Sequence, residues 1–283
     1  AYNNTTVILK VFSPPKKLSH AVFITDQGIK RLSSRLITSK SSEEIIRTLS
    51  EGFDLLNEDK YKYKTPLSQI YNQNVIDLNC HRHLRVFNEK EIIPEFCFEC
   101  LKVQVEVSTF IDLIKLTSLF YRLDLKDDLT RKTIIEMRPN ISGYYKGFIY
   151  CRGLGQAQAV KSLLDVALRK IFTDNTKSKI KRGCSEFSLE YPEYGKIVSE
   201  PEKMMCFPEE WKAVEEEFDQ EKLIKPKHHG TSSLPGYCLG DFYIIHKWID
   251  YAKGLDDHSI RAFKDRPIIY KDVYELAKGR VIL

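Results

Sequence analysis

The chain has 283 residues, 42% hydrophobic, 29% charged and 11% aromatic, with 44 basic against 39 acidic side chains and a net charge of +5. That composition supports a folded core and excludes a disordered or collagen-like chain. No run approaches the ~18 apolar residues of a membrane span, and so mild a charge permits an anionic partner without demanding one.

The length suits one large domain or two ordinary ones. An odd count of seven cysteines argues against a secreted disulfide framework, so reduced thiols and a cytoplasmic location are expected. The first residues, Ala1-Tyr2-Asn3-Asn4, are polar and show no signal-peptide pattern.

In chain order, Thr6–Phe12 and Ala21–Ile24 read as strands, broken by Pro14-Pro15. Ser41 followed three residues later by Glu44 forms a capping box, and Ile45, Ile46, Leu49, Phe53 and Leu56 then keep helical spacing, predicting a helix over 42–57. Residues 58–66 are polar and basic and read as a boundary loop. Within 67–100, Leu84–Phe87 reads as a short strand.

From Phe96 to Tyr191 the pattern becomes strand (Val103–Val107), apolar helix (109–123), strand (Lys132–Arg138), strand (Tyr145–Arg152), helix (156–172) and strand (Ile180–Glu190). That β-α-β-β-α-β order is the ferredoxin-like split unit. Beyond it, Pro208 precedes a helix, 225–233 reads as a loop, Asp241 is expected to cap a helix ending at Gly254, and Asp272 a last short one. The expected organisation is an α+β protein: an α/β segment over 1–66, a zinc-knuckle-like lead-in with the ferredoxin-like core over 67–195, and a helical extension over 196–283.

Two constellations carry candidate chemistry. Cys80-x2-His83 followed by Cys97-x2-Cys100 supplies two close pairs of thiolate and imidazole ligands, which suits a structural tetrahedral zinc site with no open position. His81 is an alternative ligand, and the competing reading is that these cysteines are small core residues. The second constellation is the strand Tyr145–Arg152. Alternation puts Lys146, Phe148, Tyr150 and Arg152 on one face, and the combination of rings and cations stacks bases and neutralises phosphates. Lys146, Gly147, Phe148 and Tyr150 resemble the aromatic signature of RNA-recognition motifs. Ile149, Cys151 and Gly153 depart from it, and the first strand offers Lys102, Gln104 and Glu106 with no ring. Lys177, Lys179 and Lys181 alternate onto one face of the last strand, either extending the basic surface or blocking edge-to-edge pairing.

Enzymatic readings are thinner. Gly153-x-Gly155 at a strand-to-helix turn beside Arg152 could present amides to a phosphate. His246 and Asp250 fall four apart on one helix face, His228-His229 sit in a basic loop, and Glu186 and Glu190 share a face if their segment is a strand. The leading expectation is an RNA- or single-strand-associated binding or assembly protein with Lys146, Phe148, Tyr150, Arg152, Lys179 and Lys181 at its interface. The alternatives are an enzyme on a nucleotide or phosphorylated substrate at the Gly153 turn, and a protein-interaction module without catalysis. No membrane partner is expected.

Overall fold

Alternating Val103, Val105 and Val107 against Lys102, Gln104 and Glu106 makes a strand with one apolar face, and the largest buried cluster of the protein is built on that face. A computed structural model describes residues 19–58, 65–72, 78–126, 129–173, 176–198, 200–226 and 236–281. Two helices, α1 (Ser19–Thr38) and α2 (Ser42–Glu58), precede strand β1 (Gln69–Asn72) and helices α3 (Cys80–Lys90) and α4 (Glu95–Glu99). Then come β2 (Cys100–Val107), α5 (Phe110–Arg122), β3 (Arg131–Ile135), β4 (Tyr145–Arg152), α6 (Gly153–Arg169), β5 (Ser178–Arg182) and the short α7 (Phe187–Glu190). Helices α8 (Trp211–Glu221), α9 (Leu239–Gly254) and α10 (Lys271–Val281) complete this α+β chain, with 3-10 turns at Pro201–Lys203 and His258–Phe263.

The five strands form one sheet in the order β1-β3-β4-β2-β5, and every neighbouring pair is antiparallel. Because β2 lies between β4 and β5, the connections β2-α5-β3 and β4-α6-β5 both cross over the same face, and both helices pack there. Leu101, Val103 and Val105 of β2, Ile149 of β4 and Ile135 of β3 are buried beneath them. Gly147 leaves the space that α5 needs: a Cβ there would lie 2.7 Å from Leu116 and 2.9 Å from Phe120. Thr109 caps α5 by accepting the Asp112 amide at 3.1 Å, and Asp257 reaches in to accept the Phe110 amide at 2.7 Å and the Tyr145 hydroxyl at 2.8 Å.

Helices α1, α2, α9 and α10 share the core of this unit, whereas α3, α4, α7 and α8 bury apolar side chains in separate clusters around Phe87 and Phe187 and around Val86 and Phe218. Leu36 of α1, Phe53 of α2 and Trp248 of α9 belong to one buried cluster with Val103 and Phe110. Trp248 donates its indole N–H to the Ser68 carbonyl at 2.8 Å, fixing the lead into β1. No helix among the described residues is long and apolar enough to cross a membrane.

Several expectations need correction. Ala21–Ile24 belongs to α1, not to a strand, because the stretch runs unbroken into Ile29, Leu32 and Leu36, which keep helical spacing. The strand expected at Thr6–Phe12 lies outside the described residues. Leu84–Phe87 is the middle of α3, whose buried His83, Val86 and Phe87 form one helical face. The last strand stops at Arg182: Gly183 still donates to the Cys100 carbonyl at 2.8 Å, but β2 begins at Cys100 and offers nothing further to pair with. The chain then turns into α7, so Glu186 and Glu190 do not share a strand face. Asp241 is not the first cap of α9. Cys238 is, and Asp241 accepts the Cys238 amide at 2.9 Å from within the first turn.

Candidate nucleic-acid interface

The sheet face turned away from α5 and α6 is built by register. Lys102 stands opposite Tyr150 and Lys181, Gln104 opposite Phe148 and Lys179, and Glu106 opposite Lys146. On the other side of β4, Lys132 stands opposite Phe148 and, across the next strand, opposite Tyr71. Rings from β4 and β1 therefore alternate with lysines from β2, β3 and β5.

Sequence reading placed Lys146, Phe148, Tyr150 and Arg152 on this face together, and they do share it, though each with its own surroundings. Lys146 is buried and donates to Glu136 at 3.1 Å. Burial pushes the Glu136 carboxyl up, but Arg138 and Lys146 outweigh it and hold the group at about 2. Phe148 is buried under lysine side chains and Tyr150 is half-buried, so neither is a bare platform. Arg152 is exposed, donates to Glu99 at 3.0 Å and lies 5.8 Å from the Phe96 ring. Lys179 donates to Glu106 at 3.2 Å, and Lys181 is exposed beside it.

The centre of the face holds two lysines that sequence reading did not select. The Lys132 ammonium lies 5.6 Å from the ring centroids of Tyr71 and Tyr150 and 5.7 Å from that of Phe148, a cage of three rings. The Lys102 ammonium lies 5.2 Å from the Phe148 centroid and donates to the Gly183 carbonyl at 3.0 Å. Among the described residues no carboxylate stands within ion-pair distance of either ammonium. Burial pulls Lys102 down to about 8 and pulls Lys132 down as well, since both charges are stripped of water. Alternation alone puts both side chains on the outer face; their convergence on Phe148 needs the order β3-β4-β2, which brings strands from distant sequence to either side of β4.

No family model, no curated protein and no solved structure matches this chain.

Of the expected zinc ligands, Cys80, Cys97 and Cys100 lie near enough to one another, and to Cys184, for their charges to interact. His83 is buried in α3, its ring stacked on Phe96 at 4.9 Å, and burial holds it neutral with its pKa at about 4. Cys97, in α4, hydrogen-bonds to Cys184, which follows β5, while burial raises Cys100 to about 12. Cys80 begins α3 and is half-buried. Among the described residues no group of three or more His, Cys, Asp or Glu side chains is placed to hold a metal ion.

The other candidates resolve similarly. Asp250 accepts the amides of Ile269 and Tyr270 at 2.9 and 2.8 Å, and His246 is buried against Phe53 with ring centroids 5.0 Å apart. Both serve the packing of α9. His228 and His229 lie outside the described residues. At the Gly153 turn, Gly153 has φ +75° with open space above it, and the Arg152 amide is already bonded to the Gln156 side chain at 2.6 Å. A cavity of about 650 Å³ is lined by Lys253, Asp257, Arg261, Lys264, Arg266 and Tyr274, and one of about 330 Å³ by Thr109, Asp112 and His258; neither includes Arg152 or Gly153.

Proposed function

We propose that this chain binds single-stranded nucleic acid on the outer face of its sheet, with RNA the first candidate. The observation that carries the reading is the caged ammonium of Lys132 between Tyr71, Phe148 and Tyr150, with Lys102 across the same ring and Lys181 at the margin. Bases stack on half-open rings such as Tyr71 and Tyr150, and lysines beside those rings draw the backbone phosphates. Reading the β2-α5-β3-β4-α6-β5 unit as ferredoxin-like supports this, since that arrangement gathers both helices on one face and leaves the other to ligands or to covering segments. Here the cover is partial: Tyr71 is 40% exposed while Phe148 is 5% exposed.

The test is fluorescence anisotropy of the full chain with a labelled single-stranded RNA across a salt series. Binding should weaken steeply with salt, and Tyr150→Ala and Tyr71→Ala should each reduce affinity about tenfold, with folding checked by circular dichroism. Absence of binding at low salt, or ring variants that bind like the parent, would overturn the reading.

A further inference from the structure

We propose that Lys102 and Lys132 together take a dianionic phosphomonoester, the phosphorylated end of a bound strand; this rests on the strand-binding reading above. The argument is one of charge and depth. Most basic groups on this face already have an acid. Lys146 has Glu136, Lys179 has Glu106, Arg152 has Glu99, and Arg138 has both Glu136 and Glu186. Among the described residues, Lys102 and Lys132 have no carboxylate within ion-pair distance, though Glu186 acts on both from farther off, and Lys181 lies at the rim.

Those two ammoniums share a single ring, at 5.2 and 5.7 Å from the Phe148 centroid, so an anion drawn to one also feels the attraction of the other. Two cations ask for a charge near −2, which a phosphomonoester carries at neutral pH and an internal phosphodiester does not. Depth points the same way. Lys102 is only 7% exposed, below the level at which a backbone passing over Tyr71 and Tyr150 would run. The exposed Lys179, Lys181 and Arg152 are better placed for internal phosphates, whereas a terminal phosphate can turn down towards Lys102 and Lys132. Burial makes each lone ammonium costly, and a bound dianion would return the lost counter-charge.

The same chemistry occurs on a free nucleotide and on inorganic phosphate, so the test separates the sources. The full chain is titrated by anisotropy with three otherwise identical oligonucleotides, carrying a 5′-phosphate, a 3′-phosphate or hydroxyls at both ends. Inorganic phosphate and a nucleoside monophosphate serve as competitors. One phosphorylated end should bind about tenfold more tightly than the hydroxyl-ended strand. Lys132→Gln and Lys102→Gln should erase that preference and Lys132→Arg should keep it, which guards against a variant that merely folds poorly. Equal affinity of all three strands, or a preference that survives both glutamine variants, would overturn the inference while leaving strand binding intact. Binding of the monophosphate or inorganic phosphate alone, lost in Lys132→Gln, would instead uphold the two-lysine phosphate site and sink the strand reading. Failure of every probe at low salt would sink both.

Discussion

At the scale of single residues, two buried histidines set the acid response. Burial lowers both His83 and His246 to about 4, against an ordinary value near 6.5, and the charges of Arg82 and Arg266 respectively add to it. Between those values the unfolded chain binds protons that the folded chain does not. Their contribution is therefore complete above about pH 6.5 and is lost as pH falls towards 4. Asp241 opposes them, because burial raises it to about 6, so it costs stability as pH rises from its unfolded value to there. Asp250, also raised by burial, opposes them in the same sense, but the two histidines are displaced across the whole window, and the urea midpoint should climb between pH 4.5 and 6.5. In a His83→Phe, His246→Phe variant, which keeps ring contacts to Phe96 and Phe53, that climb should flatten or reverse. An unchanged slope would mean that neither histidine is held neutral. Glu136, held at about 2, adds a separate loss only below about pH 4.5.

At the scale of elements, the fit of α5 onto the sheet depends on Gly147. The two nearest groups to a Cβ at that site, Leu116 and Phe120, both belong to α5, and Phe120 is fully buried. Gly147→Val should push α5 off β4 and destabilise the protein by about 2 kcal/mol, as overpacked cores do. Chemical denaturation measures this, and the combination with Leu116→Ala should recover part of the loss by making room. If the double variant is simply the sum of two losses, the clash is not what Gly147 avoids. The elements of this region were largely legible from sequence. The alternation in β2 and β4 and the apolar stripe of α5 announce themselves, because a buried face imposes its period on the residues. Residues 84–87 were misread because four apolar-rich residues satisfy either period, and only the longer frame of His83, Val86 and Phe87 shows the helix. The end of β5 was unreadable for another reason: a strand stops where its partner stops, and β2 lies about eighty positions away in sequence.

At the scale of the molecule, one buried arginine ties the segment beyond the sheet to the body. Arg82 of α3 is 9% exposed and donates to both carboxylate oxygens of Asp219, at 2.9 and 2.7 Å, and to Glu215 at 2.6 Å, both on α8. A bidentate guanidinium with a second acid is the kind of ion pair that survives screening. Arg82→Met should cost about 2–3 kcal/mol, since it leaves the poorly exposed Glu215 without its cation. Limited proteolysis should then cut near residues 222–226 well before the sheet is attacked; a parent-like digestion pattern would show that α8 is held by its apolar face alone.

The candidate interface divides along the same line. Sequence alone determined that Lys146, Phe148, Tyr150 and Arg152 share a face, because alternation is a property of the strand itself, and it determined the order of strands and helices through the central unit. Tertiary structure decided which of those side chains is spent internally: Lys146 on Glu136, Phe148 beneath Lys102 and Lys132, Arg152 on Glu99. It also decided that Tyr71, from a strand unremarkable in sequence, closes the cage around Lys132. The physical reason is that local periodicity is written in neighbouring residues, whereas charge compensation and burial depend on which distant strands the sheet places side by side.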